Sequence, residues 1–148
     1  MKKVYRVLAY AIAALVAVQS AFIGYGVFAQ AKFLEDGGTI DKSVYESDAP
    51  GTAALLLHGL NGGVVLLAVL ALLIVSFFAK VPRGTRWAVI VLVTTAVQIA
   101  LGVLSHFTPV LGAVHGAVAL VLFGVASMAG MRVRRAAPVE ETVPATVA

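Results

Sequence analysis

Two histidines begin short glycine-containing motifs inside long apolar stretches: His58 begins HGLNG, and His115 begins HGAVA. A polar residue within hydrocarbon is energetically costly and usually marks a functional site. Two neutral imidazoles that oppose each other across a helical core suit the axial positions of a haem iron. The pattern therefore predicts that His58 and His115 are metal ligands.

Two glutamines repeat in the same way. Gln19 lies in AVQSA and Gln98 lies in AVQIA, and each precedes one of the histidines. We expect their buried amides to form hydrogen bonds across helices and to line the same pocket. Glycines beside the histidines leave room for a porphyrin. The predicted cofactor is haem b, and its predicted site comprises Gln19, Gln98, His58, His115, Gly59, Gly62 and Gly116.

Composition assigns the chain to a membrane. Hydrophobic residues make up 61% of the 148 residues and charged residues 12%, and the mean hydropathy is +1.00. A soluble domain is far less apolar. About 20 apolar residues cross a bilayer, and four stretches qualify as spans: 4–29, 53–79, 87–107 and 110–131. The prediction is an all-α membrane protein, a four-helix up-down-up-down bundle at 1–131 followed by a disordered cytoplasmic tail at 132–148.

The charges predict the orientation. Nine of the 11 basic residues lie in three groups before span one, between spans two and three, and after span four. The loop at 30–52 carries five of the seven acidic residues. By the positive-inside rule, both termini face the cytoplasm and the acidic loop faces outward. The basic residues follow the topology, so no nucleic-acid partner is expected. The expected partners are the lipid bilayer and a membrane redox protein or a second copy of the chain.

Pairing Gln19 with Gln98, and His58 with His115, divides the chain into two helical hairpins. Each hairpin starts and ends on the inner side, so the halves are predicted to be parallel repeats about an axis along the membrane normal. The two histidines would then lie at one depth, roughly 7 to 8 Å below the outer boundary. Helices two and four would be diagonal neighbours.

Several alternatives stay open at this stage. The first span, which ends near Ala29-Gln30-Ala31, has features of a signal peptide but is about twice the usual length. His106 closes the third span and is interpreted as an interfacial residue, with a zinc site formed by all three histidines as the alternative. The buried His and Gln side chains would serve helix packing alone in a non-enzymatic assembly or transport subunit.

The glutamine and histidine pattern resembles one four-helix half of haem A synthase, most clearly in VQIALGVLSHFTPVLGAVHGAVAL and in HGLNGG. It is also similar to small uncharacterised four-helix membrane proteins. The resemblance covers about 4–131 and implies haem ligation by His58 and His115. The enzyme has two such halves, and its half-sites place Arg where this chain has Gly59 and Glu where it has Leu55. The outer-loop cysteine pair is also absent, so the resemblance implies a haem-binding scaffold without the oxygenase reaction.

Overall fold

The computed structural model describes residues 1–41 and 49–135, with the side chains of 134 and 135 left out. Within those ranges the chain is all-helical, and each helix is long and apolar enough to cross a membrane. The four predicted helical spans are thereby confirmed as helices. The helices are α1 (Lys2–Glu35), α2 (Thr52–Phe78), α3 (Gly84–Leu104) and α4 (Pro109–Arg135).

Several boundaries differ from the sequence prediction. Helix α1 continues to Glu35, six residues past the predicted end at 29, so the first residues of the predicted outer loop are helical. Helix α3 ends at Leu104, so His106 lies in the turn that follows it. Helix α4 continues to Arg135, so residues 132–135 are helical and not part of a disordered tail. The Arg132 guanidinium lies 4.9 Å from the centre of the Trp87 ring, which ties the last turns of α4 to α3. The rest of the predicted tail, 136–148, lies outside the described residues.

Apolar side chains cover the outside of the bundle as well as its inside. On α2, Leu60 is 61% exposed and Leu67 is 68% exposed. Apolar surface of this extent is unfavourable in water and is the normal surface of a helix that contacts lipid. Together with the length of the helices, it indicates a multi-pass membrane protein.

The helices form a four-helix bundle in which α1 and α3 each pack against both α2 and α4. The buried apolar cluster occupies one half of this bundle only. It uses the first part of α1 and α3 and the last part of α2 and α4, for example Ile12, Val91, Leu72 and Leu122. The glutamines and histidines lie in the other half, which therefore has fewer side chains filling its centre.

A close contact between two glycines holds α1 against the start of α2. A Cβ atom on Gly51 would lie 2.5 Å from the carbonyl oxygen of Gly26, and Gly51 has a φ of +88° that other residues rarely adopt. Gly26 comes seven residues after Gln19, and Gly51 comes seven residues before His58. The contact thus sets the relative position of the two helices, and with it the position of Gln19 beside His58.

The basic end of the bundle contains a strained turn between α2 and α3. Lys80 and Arg83 have φ angles of 50° and 57°, a left-handed conformation that costs a residue with a side chain about 1 kcal/mol or more. The turn is held by the buried Tyr5, whose hydroxyl donates to the carbonyl oxygen of Gly84 at 2.9 Å. This hydrogen bond links the first turns of α1 and α3.

We expect Tyr5→Phe to lower the free energy of unfolding by about 1 kcal/mol, because the buried carbonyl of Gly84 loses a donor. Tyr10→Phe is the matched control, since the Tyr10 ring packs against Gly130 and the change keeps that ring in place. Denaturation of both variants in mild detergent, followed by circular dichroism, measures the difference. Equal stability of the two variants would contradict the role given to the Tyr5 hydroxyl.

Candidate cofactor site

The two candidate ligands occupy equivalent places on their helices. His58 is the seventh residue of α2 and His115 is the seventh residue of α4, about 9 Å along each helix from its first residue. Both side chains are half-buried. Their ring centroids lie 6.1 Å apart, with 63° between the ring planes. The structure therefore brings the two imidazole rings close together from different helices, with the edge of one ring towards the other.

The tautomer of His115 follows from its hydrogen bonds. Its Nδ1 lies 2.9 Å from the backbone carbonyl oxygen of Gln98. A carbonyl oxygen only accepts, so Nδ1 carries the proton and Nε2 carries a lone pair. The Gln98 side-chain amide donates to the His115 carbonyl oxygen at 3.0 Å and lies 3.2 Å from His115 Nε2. The Nε2 lone pair therefore accepts from Gln98 in this conformation.

His58 and Gln19 form a similar pair. The Nδ1 atom of His58 lies 3.2 Å from the backbone carbonyl oxygen of Gln19. The Gln19 amide is satisfied when its nitrogen faces α2: it then donates to His58 Nδ1 at 2.9 Å and to the His58 carbonyl oxygen at 2.8 Å, and its oxygen accepts from the Gly62 N–H at 3.2 Å. With Nδ1 as the acceptor, the proton of the neutral His58 ring is on Nε2, the opposite tautomer to that of His115. No hydrogen bond from a described residue reaches His58 Nε2.

The two histidines border a cavity of about 470 Å³. Its lining is mainly apolar, with four glycines among the residues contributed by all four helices. Six of the seven predicted site residues line it, and the exception is Gly116, an exposed residue whose Cβ would meet nothing within 4 Å. The lining comprises Val16, Gln19, His58, Gly59, Gly62, Gly63, Val65, Leu66, Thr95, Gln98, Ile99, Gly102, Val103, His106, His115, Ala119 and Leu122.

Three further lining residues were not predicted as part of the site. Thr95 is buried and its hydroxyl donates to the Val91 carbonyl oxygen, and Gly102 lies beside the His115 ring. Both lie on the face of α3 that carries Gln98, since they are three and four residues from it. His106, interpreted from sequence as interfacial, is exposed and lies at the edge of the cavity.

Asn61, one turn after His58, donates to the Leu15 carbonyl oxygen and does not line the cavity. Across the described ranges, no three His, Cys, Asp or Glu side chains come together in a way that could hold a metal ion. The structure therefore gives no support to the three-histidine zinc site.

One polar atom in the cavity wall is left unsatisfied. The side-chain oxygen of Gln98 is buried and has no hydrogen-bond partner. A buried acceptor without a donor is destabilising by roughly 1 to 3 kcal/mol and calls for an explanation. The unsatisfied oxygen marks the position where a donor group of a bound molecule would be stabilised.

No protein-family model matches this chain, and no curated protein and no solved structure matches it either.

Gly102→Ala should displace the His115 ring, because the new Cβ would lie 3.1 Å from Cε1 and 3.3 Å from Nδ1 of that ring. We expect the Nδ1 proton of His115 to exchange with solvent faster in this variant, since its bond to the Gln98 carbonyl lengthens. NMR of protein with ¹⁵N-labelled histidine measures the exchange.

Gly59→Ala is the control for this measurement, since Gly59 also lines the cavity but a Cβ there meets nothing within 4 Å. Its His115 proton should exchange at the rate of the parent protein. If Gly102→Ala also exchanges at that rate, the bond between His115 and Gln98 does not depend on the absence of a side chain at 102.

Proposed function

We propose that this chain is a membrane protein that binds one non-covalent haem b between His58 and His115. The haem serves electron transfer or haem handling near the outer face of the membrane. The observation that carries the proposal is the proximity of the two imidazole rings, 6.1 Å apart between centroids, at the border of one cavity. With metal–imidazole bonds near 2 Å, two rings that share one metal have centroids roughly 6 Å apart.

The hydrogen bonds of the rings support the same function. A histidine that binds a metal typically donates its second ring N–H to a backbone carbonyl or carboxylate, which orients the ring and raises the basicity of the ligating nitrogen. The carbonyl oxygen of Gln98 accepts from His115 Nδ1 in this way. The carbonyl oxygen of Gln19 lies 3.2 Å from His58 Nδ1 and would accept from it once the Gln19 amide nitrogen no longer donates to that atom. Both Nε2 atoms would then be the ligating atoms.

The proposed ligation requires both glutamine side chains to move, and the Gln19 amide nitrogen must turn away from His58 Nδ1. The Gln98 amide must release His115 Nε2, and it can keep its bond to the His115 carbonyl oxygen while it does so, because the amide nitrogen carries two hydrogens. The glycines and apolar side chains of the wall leave space for a flat macrocycle. When bound, a haem with two histidine ligands supplies one-electron redox chemistry.

The contacts of α1 with α2 support the proposed up-down-up-down topology. Gln19 is close to His58, and Gly26, seven residues later on α1, is close to Gly51, seven residues earlier than His58. Contacts that run in opposite directions along the two segments are those of an antiparallel hairpin. The similar Gln98 and His115 pair supports a second hairpin related to the first, with both histidines at one depth.

The proposed orientation has both termini in the cytoplasm. Reporter fusions at Ala148 and within 37–47 should show the C-terminus inside and the acidic loop outside, because the basic residues flank the other ends of the spans. Alkaline phosphatase and a fluorescent protein that matures only in the cytoplasm provide the two readouts. An external C-terminus would reject the orientation and the outer location of the cofactor.

A second candidate function is supported by one observation. The Gln98 amide already occupies the lone pair of His115 Nε2, which is the contact expected when a buried histidine serves only to lock two helices together. The chain would then be a non-enzymatic assembly or transport subunit. Haem binding separates the two candidates directly.

The parent protein, purified in mild detergent and supplemented with haem, should show the absorption of a low-spin haem with two histidine ligands. His58→Ala and His115→Ala should each abolish the low-spin spectrum, because each removes one axial ligand. His106→Ala should retain it, because His106 is exposed and does not belong to the adjacent pair of rings. Soret and α-band spectra, with a pyridine haemochrome assay, measure the outcome.

Equal expression and equal helix content of the three variants control for a folding defect. If the parent and all variants stay colourless after haem supplementation, the packing function is correct and the haem proposal is wrong. If His106→Ala abolishes the spectrum while His115→Ala does not, the ligand pair has been assigned to the wrong histidine.

A further inference from the structure

The exposed part of the cavity lining lies on two helices only. The lining residues of α1 and α4, such as Val16, His115 and Leu122, are buried or half-buried. The exposed ones are on α2 and at the end of α3. They are Gly59, Gly63, Ile99, Val103 and His106. The cavity therefore opens sideways, between α2 and α3.

Glycine forms one edge of this opening. A Cβ atom on Gly59 or Gly63 would meet nothing within 4 Å, so neither glycine is required by the packing of the bundle itself. The opposite edge is formed by the exposed apolar side chains of Ile99 and Val103. Because helix residues rise 1.5 Å each and each edge covers four residue steps, the opening extends roughly 6 Å along the helix axes. Apolar surface at such an opening suits contact with lipid.

The equivalent interface, between α4 and α1, contributes no exposed residue to the cavity lining. Four residues after His115, α4 has Ala119 where α2 has Gly62, and the next position is Leu120 where α2 has Gly63. Leu120 is 74% exposed, so its side chain lies on the outside of the bundle. Helix α4 also packs more extensively against α1 than α2 packs against α3. The lateral opening is thus a specific feature of the α2 sequence.

We infer that the ligand of this cavity enters from the hydrocarbon of the bilayer, through the opening between α2 and α3. The ligand class is a flat apolar ring that partitions into the membrane and carries a polar group for Gln98 and the histidines. The identity of that ring as haem rests on the proposed function, whereas the lateral route does not. Gly63 keeps the route open because it adds no side chain.

The first experiment follows haem uptake. The parent protein in liposomes is mixed with vesicles that have been preloaded with haem, and the growth of the Soret band is recorded. Gly63→Leu introduces at this position the residue that α4 carries at 120, and uptake should slow by about tenfold. Gly124→Leu is the control, because Gly124 is on α4, does not line the cavity, and has open space at its Cβ.

The second experiment needs no haem. Trp87→Phe removes the single tryptophan, and Ala119→Trp places a reporter in the cavity wall. Lipids with a nitroxide on the acyl chain should quench this reporter, and adding Gly63→Leu should reduce the quenching while Gly124→Leu should not. Val103→Phe narrows the opening from α3 and serves as the second variant if Gly63→Leu fails to fold.

The outcomes separate the two proposals. Uptake that is equal in the parent, Gly63→Leu and Val103→Phe would overturn the lateral route and leave haem binding in place. If the parent binds no haem, the proposed function fails and the quenching experiment alone decides the route. If neither Gly63→Leu nor Val103→Phe reduces the quenching, the lateral route is overturned. If either variant reduces the quenching, the lateral route is supported.

Discussion

The structure depends on how two imidazole rings find hydrogen-bond partners inside an apolar bundle. The backbone carbonyl of a glutamine on a neighbouring helix lies within hydrogen-bonding distance of each ring, that of Gln19 for His58 and that of Gln98 for His115. A helical carbonyl already accepts the intrahelical bond and has a second lone pair free. A backbone acceptor does not change rotamer, so the position of each ring follows from the position of the helix. The relative placement of the helices is therefore part of the site.

The division of the bundle into a filled half and an open half follows from that requirement. The buried apolar cluster, with Ile12, Leu72 and Val91 fully buried, fixes the helices at the basic end. The open half contributes less apolar packing and needs specific short contacts instead, such as the approach of Gly51 to Gly26. The strained φ angles of Lys80 and Arg83 lie at the filled end, where surrounding contacts can sustain them. The apolar packing that stabilises the bundle and the cavity thus lie at opposite ends of the same helices.

Hydropathy was enough to predict the four helical spans, because the length of an apolar run reports the thickness it must cross. The repeated Gln and His residues were also readable, since a polar residue stands out in such a run. The sequence does not indicate that Gly102 and Thr95 belong to the site. An apolar helix has glycine and threonine on many faces, and only the packing of neighbouring helices decides which face lines the cavity. The extension of α4 to Arg135 depends on the Trp87 ring of another helix. That contact has no local sequence signal.

The repeat was both the strongest guide to the site and the source of its main inaccuracy. Symmetry predicted that Gly116 would match Gly59, but only Gly59 lines the cavity. The two halves share the residues that hold the imidazoles and differ in the residues beside them, since Gly62 and Gly63 stand where α4 has Ala119 and Leu120. Helix α4 packs more closely against α1 than α2 packs against α3, where Gly62 and Gly63 leave the interface less filled. A symmetric pair of histidines is thus combined with an asymmetric cavity wall, because the two halves differ in side-chain size beside the imidazoles.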